Sequence, residues 1–139
     1  MKKILLAIAI IGLGTTAFAQ TTPAPAAAPV KKADEVLKFK EVRYNFGKIK
    51  QGVPVTHDFG FTNAGSTALI IENATASCGC TTPTWPQKPI SSGAADKVTA
   101  GFNAANAGAF EKTIFVKVKG YDLPLEIKIA GEVEAKKTN

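Results

Sequence analysis

Between residues 37 and 133 apolar and polar side chains alternate one by one. That period of two places successive residues on opposite faces of a β-strand. Val53, Val55, His57, Phe59 and Phe61 share one parity, against Pro54, Thr56, Asp58, Gly60 and Thr62. Phe110, Lys112, Ile114, Val116 and Val118 form a second row, and Leu123, Leu125, Ile127, Ile129, Gly131 and Val133 a third. Shorter pieces repeat the habit at Tyr44 and Phe46, Leu69 and Ile71, and Val98, Ala100 and Phe102. Gly47, Gly52, Asn63-Ala64-Gly65-Ser66, Ser91-Ser92-Gly93, Asn106-Ala107-Gly108 and Gly120-Tyr121-Asp122 punctuate the runs as turns. After Gln20 no stretch spaces apolar residues three and four apart over helical length. The expectation is one all-β domain over residues 36–134, with about seven antiparallel strands in two facing sheets. A small closed barrel alternates in the same way and stays open as a second architecture.

The N-terminus reads differently. Met1-Lys2-Lys3 is basic, residues 4–13 are apolar apart from Gly12, and Ala17-Phe18-Ala19 puts small residues where a signal peptidase reads. Residues 1–19 are therefore expected to be a signal peptide cleaved before Gln20, making the mature chain periplasmic or secreted. The apolar run is too short for a membrane span, which takes roughly 18 to 20 residues, and no transmembrane segment is expected later. No cysteine follows it to carry a lipid. Residues 20–35, led by Thr21-Thr22-Pro23-Ala24-Pro25, are expected to be a disordered tether, since Thr, Pro and Ala bury too little to offset ordering entropy. Residues 135–139 read as a polar tail.

Net charge is +6, and removing Lys2 and Lys3 with the leader leaves +4. The lysines are scattered, Arg43 is the single arginine and there is no basic helix, so nucleic acid is not an expected partner.

The chain has two cysteines, Cys78 and Cys80, in Ser77-Cys78-Gly79-Cys80-Thr81. Antibody domains carry a tryptophan on a disulfide between distant cysteines that ties sheet to sheet, and this pair cannot span that distance. In an extended strand residues i and i+2 lie roughly 6.5 to 7 Å apart, at the edge of the disulfide window, and Gly79 would let the backbone close the gap. The closed ring is worth only about 1.5 kcal/mol, too little for a staple. A redox-active dithiol, a soft-metal site holding copper as Cu(I), and a plain strand cap are the three readings. Zinc wants four ligands, and only His57 could join the cysteines.

His57 lies on an inward parity, where a lone histidine is ordinarily a satisfied core or rim residue. Trp85, in Trp85-Pro86-Gln87-Lys88-Pro89, is expected in a rigid loop packed over the sandwich end. Trp85 and Thr81 are also the candidate loop contacts for a partner. The carboxylates are isolated on outer faces or in turns, and no phosphate loop or nucleophile triad is present. No helix signal follows the cysteines to activate a thiol as in thioredoxin-type motifs. An enzyme is not expected, outside a thiol-exchange role.

Asn45-Phe46-Gly47, His57-Asp58-Phe59-Gly60-Phe61-Thr62-Asn63-Ala64-Gly65, Leu69-Ile70-Ile71, Ser77-Cys78-Gly79-Cys80-Thr81, Trp85 and Gly108-Ala109-Phe110 follow one another in a characteristic order. In this the chain resembles the exported bacterial Hydin-like family of unknown function, fifteen-seventy-three in the domain-of-unknown-function series. The resemblance covers residues 37–133. It implies an immunoglobulin-like sandwich and an envelope or secreted location, with Cys78, Cys80, His57 and Trp85 matching hallmark positions. Ser91-Ser92 departs from it, since such domains often place proline before the glycine at Gly93. The resemblance brings no activity. The expected role is a non-enzymatic module that binds or supports another envelope component. Thiol-redox or Cu(I) chemistry at Cys78 and Cys80 is the alternative.

Overall fold

A computed structural model describes residues 29–137, and within them the alternating segments form eight strands in two four-stranded sheets packed as a sandwich. One sheet holds β1 (Leu37–Phe39), β3 (Val55–Asn63), β6 (Ala95–Phe102) and β5 (Thr81–Thr84), in the order β1-β3-β6-β5. The other holds β2 (Arg43–Lys50), β8 (Leu125–Glu134), β7 (Gly108–Val118) and β4 (Ile71–Ala76), in the order β2-β8-β7-β4. The expected signal peptide and most of the expected tether fall outside the described residues.

The inward rows meet between the sheets. Phe59, Phe61, Val98 and Ala100 from the first sheet face Ile114, Val116, Val118, Ile127 and Ile129 from the second, all without solvent exposure. Each large side chain so buried contributes roughly 1.5 to 3 kcal/mol. Val53 and Leu123, which share the inward parities, are half exposed because they stand just before β3 and β8 begin.

Two features differ from the expectation. The first long strand is split: β1 pairs antiparallel with β3, the chain crosses at Lys40-Glu41-Val42, and β2 then pairs parallel with β8. Parity reports which face a residue takes and carries no information on strand direction. The second feature is β5, a four-residue edge strand where only a loop was expected. Its Pro83 is tolerated because an edge strand leaves one side of its backbone unpaired.

The folded region also starts earlier than residue 36. Ala33–Glu35 form a single 3-10 turn that buries Ala33 in the core. Asp122 clamps the preceding backbone, accepting from Lys31 N at 2.8 Å through Oδ2 and donating its own N–H to Lys31 O at 3.1 Å. The expected tail is held as well, with Lys136 N donating to Gln51 Oε1 at 3.1 Å.

The Asn45-Phe46-Gly47 motif makes a bulge in β2. Asn45 Oδ1 accepts from Gly47 N at 2.8 Å, Gly47 has φ +67°, and the register against β8 shifts between Asn45 and Lys48. The bulge presses the Gly47 carbonyl onto Gly131, where a Cβ would stand 2.9 Å from both that oxygen and the Phe110 ring. Glycine at 131 is thus required by close approach.

Candidate functional site

β4 ends at Ala76, opposite Ile114 of β7. Ser77 extends the ladder by one step, donating from N to Thr113 O at 2.9 Å and accepting from Thr113 N through Oγ at 3.2 Å. The chain then turns over Cys78-Gly79-Cys80, with Thr81 N donating to Cys78 O at 3.3 Å. Asn103 N donates to Cys80 O at 3.1 Å, pinning the turn to the end of β6.

Within this turn Cys78 and Cys80 form a disulfide, with their Cα atoms 5.3 Å apart. The turn contracts the pair below the spacing of an extended strand, which brings it inside the bonding window. Gly79 lies exposed with open space around it and without a positive φ, so no close contact or left-handed backbone demands glycine there. Both cysteines are partly buried. Cu(I) needs the thiolates that the bond consumes, so only the reduced chain could offer that site.

Thr81, the first residue of β5, is buried, and its Oγ1 lies 3.8 Å from Cys78 Sγ and 3.9 Å from Cys80 Sγ. Joined sulfurs have no proton, so the hydroxyl is the donor to both. Beside Cys80 a small groove of about 120 Å³ is lined by Phe102, Asn103, Gly108, Phe110 and Lys112. The Phe102 and Phe110 rings stack in it with centroids 4.1 Å apart.

His57 takes no part in this constellation. It lies on β3, and β6 separates that strand from β5. Its ring stacks on Tyr44 with centroids 3.5 Å apart, meets Phe59 edge-on, and its Nε2 lies 2.8 Å from Glu41 Oε1. A residue so partnered and only 19% exposed is a rim histidine that joins the crossover at Glu41 to the sandwich. Among the described residues no three His, Cys, Asp or Glu side chains gather as a metal site. Trp85 follows β5 and packs against the core, its indole Nε1 enclosed without a hydrogen-bond partner.

Three carboxylates are paired with lysine or arginine at the surface: Glu111 with Arg43 at 2.5 Å, Glu134 with Lys48 at 3.3 Å, and Asp58 with Lys97. Asp58 receives Lys97 Nζ and Thr99 Oγ1, both at 2.5 Å, and these hydrogen bonds hold its carboxyl below the ordinary 3.8. Asn63 is the structural residue that the sequence concealed. It is fully buried, donating through Nδ2 to Thr67 O at 2.8 Å and Ile90 O at 2.9 Å, and accepting from Gly65 N at 2.9 Å. As the first residue of Asn63-Ala64-Gly65 it looks like turn chemistry. The one available signal was its place two residues beyond Phe61 on the inward row.

The sandwich is shared with known structures at low identity. The ASH/PapD-like domain 7 of human CEP192 superimposes with TM-score 0.62 at 11% identity, covering 84% of this chain and 98% of that one. A protein of unknown function from Porphyromonas gingivalis gives TM-score 0.61 at 16% identity, over 81% of this chain and 51% of that one. The VesB protease of Vibrio cholerae gives 0.56 at 16% identity, over 73% of this chain and only 33% of the protease chain. These likenesses extend to the fold alone. No curated protein matches the chain. The family model described as "Protein of unknown function (DUF1573)" matches residues 37–133, the whole of both sheets but for the last residue of β8, and the chain belongs to that family.

Proposed function

We propose that this chain is an exported immunoglobulin-like module of the Hydin-like kind that binds another protein of the bacterial envelope. The N-terminal leader directs it to the periplasm or beyond, and the segment after the leader tethers the sandwich. The observation that carries the reading is an apolar end on the sandwich. Val30, Val42 and Leu123 are 55%, 57% and 48% exposed. They gather where the tether enters: Val42, Leu123 and Pro124 line one groove, and Lys31, next to Val30, is bonded to Asp122. Exposed aliphatic groups collected in one place, rimmed by Lys32, Asp34 and Glu126, fit a protein surface with its own apolar centre and polar border. The tether presents this end to whatever lies near its attachment.

The test is photo-crosslinking from position 123 in intact cells, with mass spectrometry of the adduct. The expected result is one dominant envelope protein, lost when Val42→Asp is added. Absence of an adduct, or equal capture by the Val42→Asp chain, overturns the reading.

A further inference from the structure

The disulfide remains unexplained by a binding role. A ring of three residues constrains the unfolded chain little, so the bond is poorly placed to act as a staple. What surrounds it is organised around the sulfurs. Thr81 is buried with its hydroxyl against both sulfur atoms, and among the described residues that hydroxyl has no other hydrogen-bond partner. Disulfide sulfur is a weak acceptor, whereas a thiolate is a charged one that draws the same O–H strongly. Cys80 borders a groove with Lys112 on its wall, a cation on the path by which an anionic thiol would approach.

We propose that Cys78–Cys80 is a thiol–disulfide exchange site, taking electrons from a dithiol protein or a low-molecular-weight thiol that enters by the Cys80 groove. The incoming thiolate attacks Cys80 Sγ, forming a mixed disulfide as the Cys78–Cys80 bond breaks. The electron pair leaves on Cys78 Sγ, where the Thr81 hydroxyl, already 3.8 Å away, turns to donate to it. The second sulfur of the donor then attacks its partner in the mixed disulfide and releases Cys80 as a thiolate. Each released sulfur takes a proton from solvent. The balance is two electrons and two protons: the donor's two thiols become a disulfide and this pair becomes two thiols. Thr81 is a positioning residue, acting through the sulfur it holds.

The experiment follows the oxidised, leader-cleaved chain to equilibrium in glutathione buffers of fixed ratio without denaturant, by timed alkylation and mass measurement. The expected result is reversible reduction of the pair. Thr81→Val should slow the reduction about ten-fold at fixed glutathione, the worth of one hydrogen bond to the departing thiolate. Thr81→Ser keeps the hydroxyl and should stay within about three-fold of the parent. In single-cysteine chains, Cys78→Ser should form its glutathione adduct faster at Cys80 than Cys80→Ser does at Cys78. Reduction only in urea overturns the exchange site. Equal reduction rates for parent and Thr81→Val overturn the role of the hydroxyl, and faster reaction at Cys78 overturns entry by the groove.

Discussion

Replacing Asn63 tests whether one buried amide ties the β3–β4 connection to Ile90. Asn63→Ala removes three hydrogen bonds, to Thr67 O, Ile90 O and Gly65 N. Ile90 O keeps a second partner in Leu69 N at 2.9 Å, so its loss is partial. Thr67 O and Gly65 N lose the amide outright. At about 1 kcal/mol for each bond, the structure predicts a loss of about 3 kcal/mol. That corresponds to a fall in melting temperature of roughly 12 °C for a domain of this size. Urea titration followed by Trp85 fluorescence reads the change directly. Asn63→Asp sharpens the test, because it keeps the shape while turning the two donated bonds into contacts between oxygens unless the carboxyl is protonated. Burial and facing carbonyls raise the folded-state pKa of that carboxyl above its unfolded value. The folded form then holds the proton longer, so stability should fall as pH rises above about 4, at up to about 1.4 kcal/mol per pH unit. The parent chain has no such slope from this position. A loss below about 1 kcal/mol for Asn63→Ala, or a flat pH profile for Asn63→Asp, would refute the reasoning.

Gly131→Ala drives a methyl to 2.9 Å from the Gly47 carbonyl and should cost about 1 to 3 kcal/mol by urea titration. Gly79→Ala meets open space and should stay within about 0.5 kcal/mol in the same assay. Changing Cys78 and Cys80 together to serine should cost no more than about 1.5 kcal/mol, measured as a change in urea midpoint, since the ring is so small. Asp58 has a depressed carboxyl, so its contribution is present above the unfolded value of 3.8 and is lost as pH falls through the lower folded value. Its side chain is 48% exposed and screened, so Asp58→Asn should remove well under about 1 kcal/mol at pH 6 in low salt, and nothing once pH lies below both values.

The long strands were legible because each pays its apolar residues into one face. Phe59 and Phe61, Val98 and Ala100, Ile114, Val116 and Val118, and Ile127 and Ile129 are buried on the parity that alternation assigned. β5 was hidden by being four residues of threonine and proline, with too few side chains to show a period. The parallel run of β2 beside β8 was invisible because facing and direction are independent properties of a strand. Asn63 passed for a turn residue because its burial depends on Ile90, which is 27 positions away. At the candidate site, spacing alone allowed a bond between Cys78 and Cys80, but the threonine hydroxyl beneath it depends on how β5 adds to β6.

The split first strand has a mechanical consequence. β2, near the N-terminal side of the sandwich, runs parallel to β8, the last described strand, along a ladder from Arg43↔Lys128 to Lys50↔Glu134. Tension between the two chain ends slides these neighbours lengthwise, loading every rung at once instead of peeling them singly. β1, anchored separately on β3, adds a further grip upstream of that ladder. A fold built this way resists stretching between the ends of its first and last sheet strands.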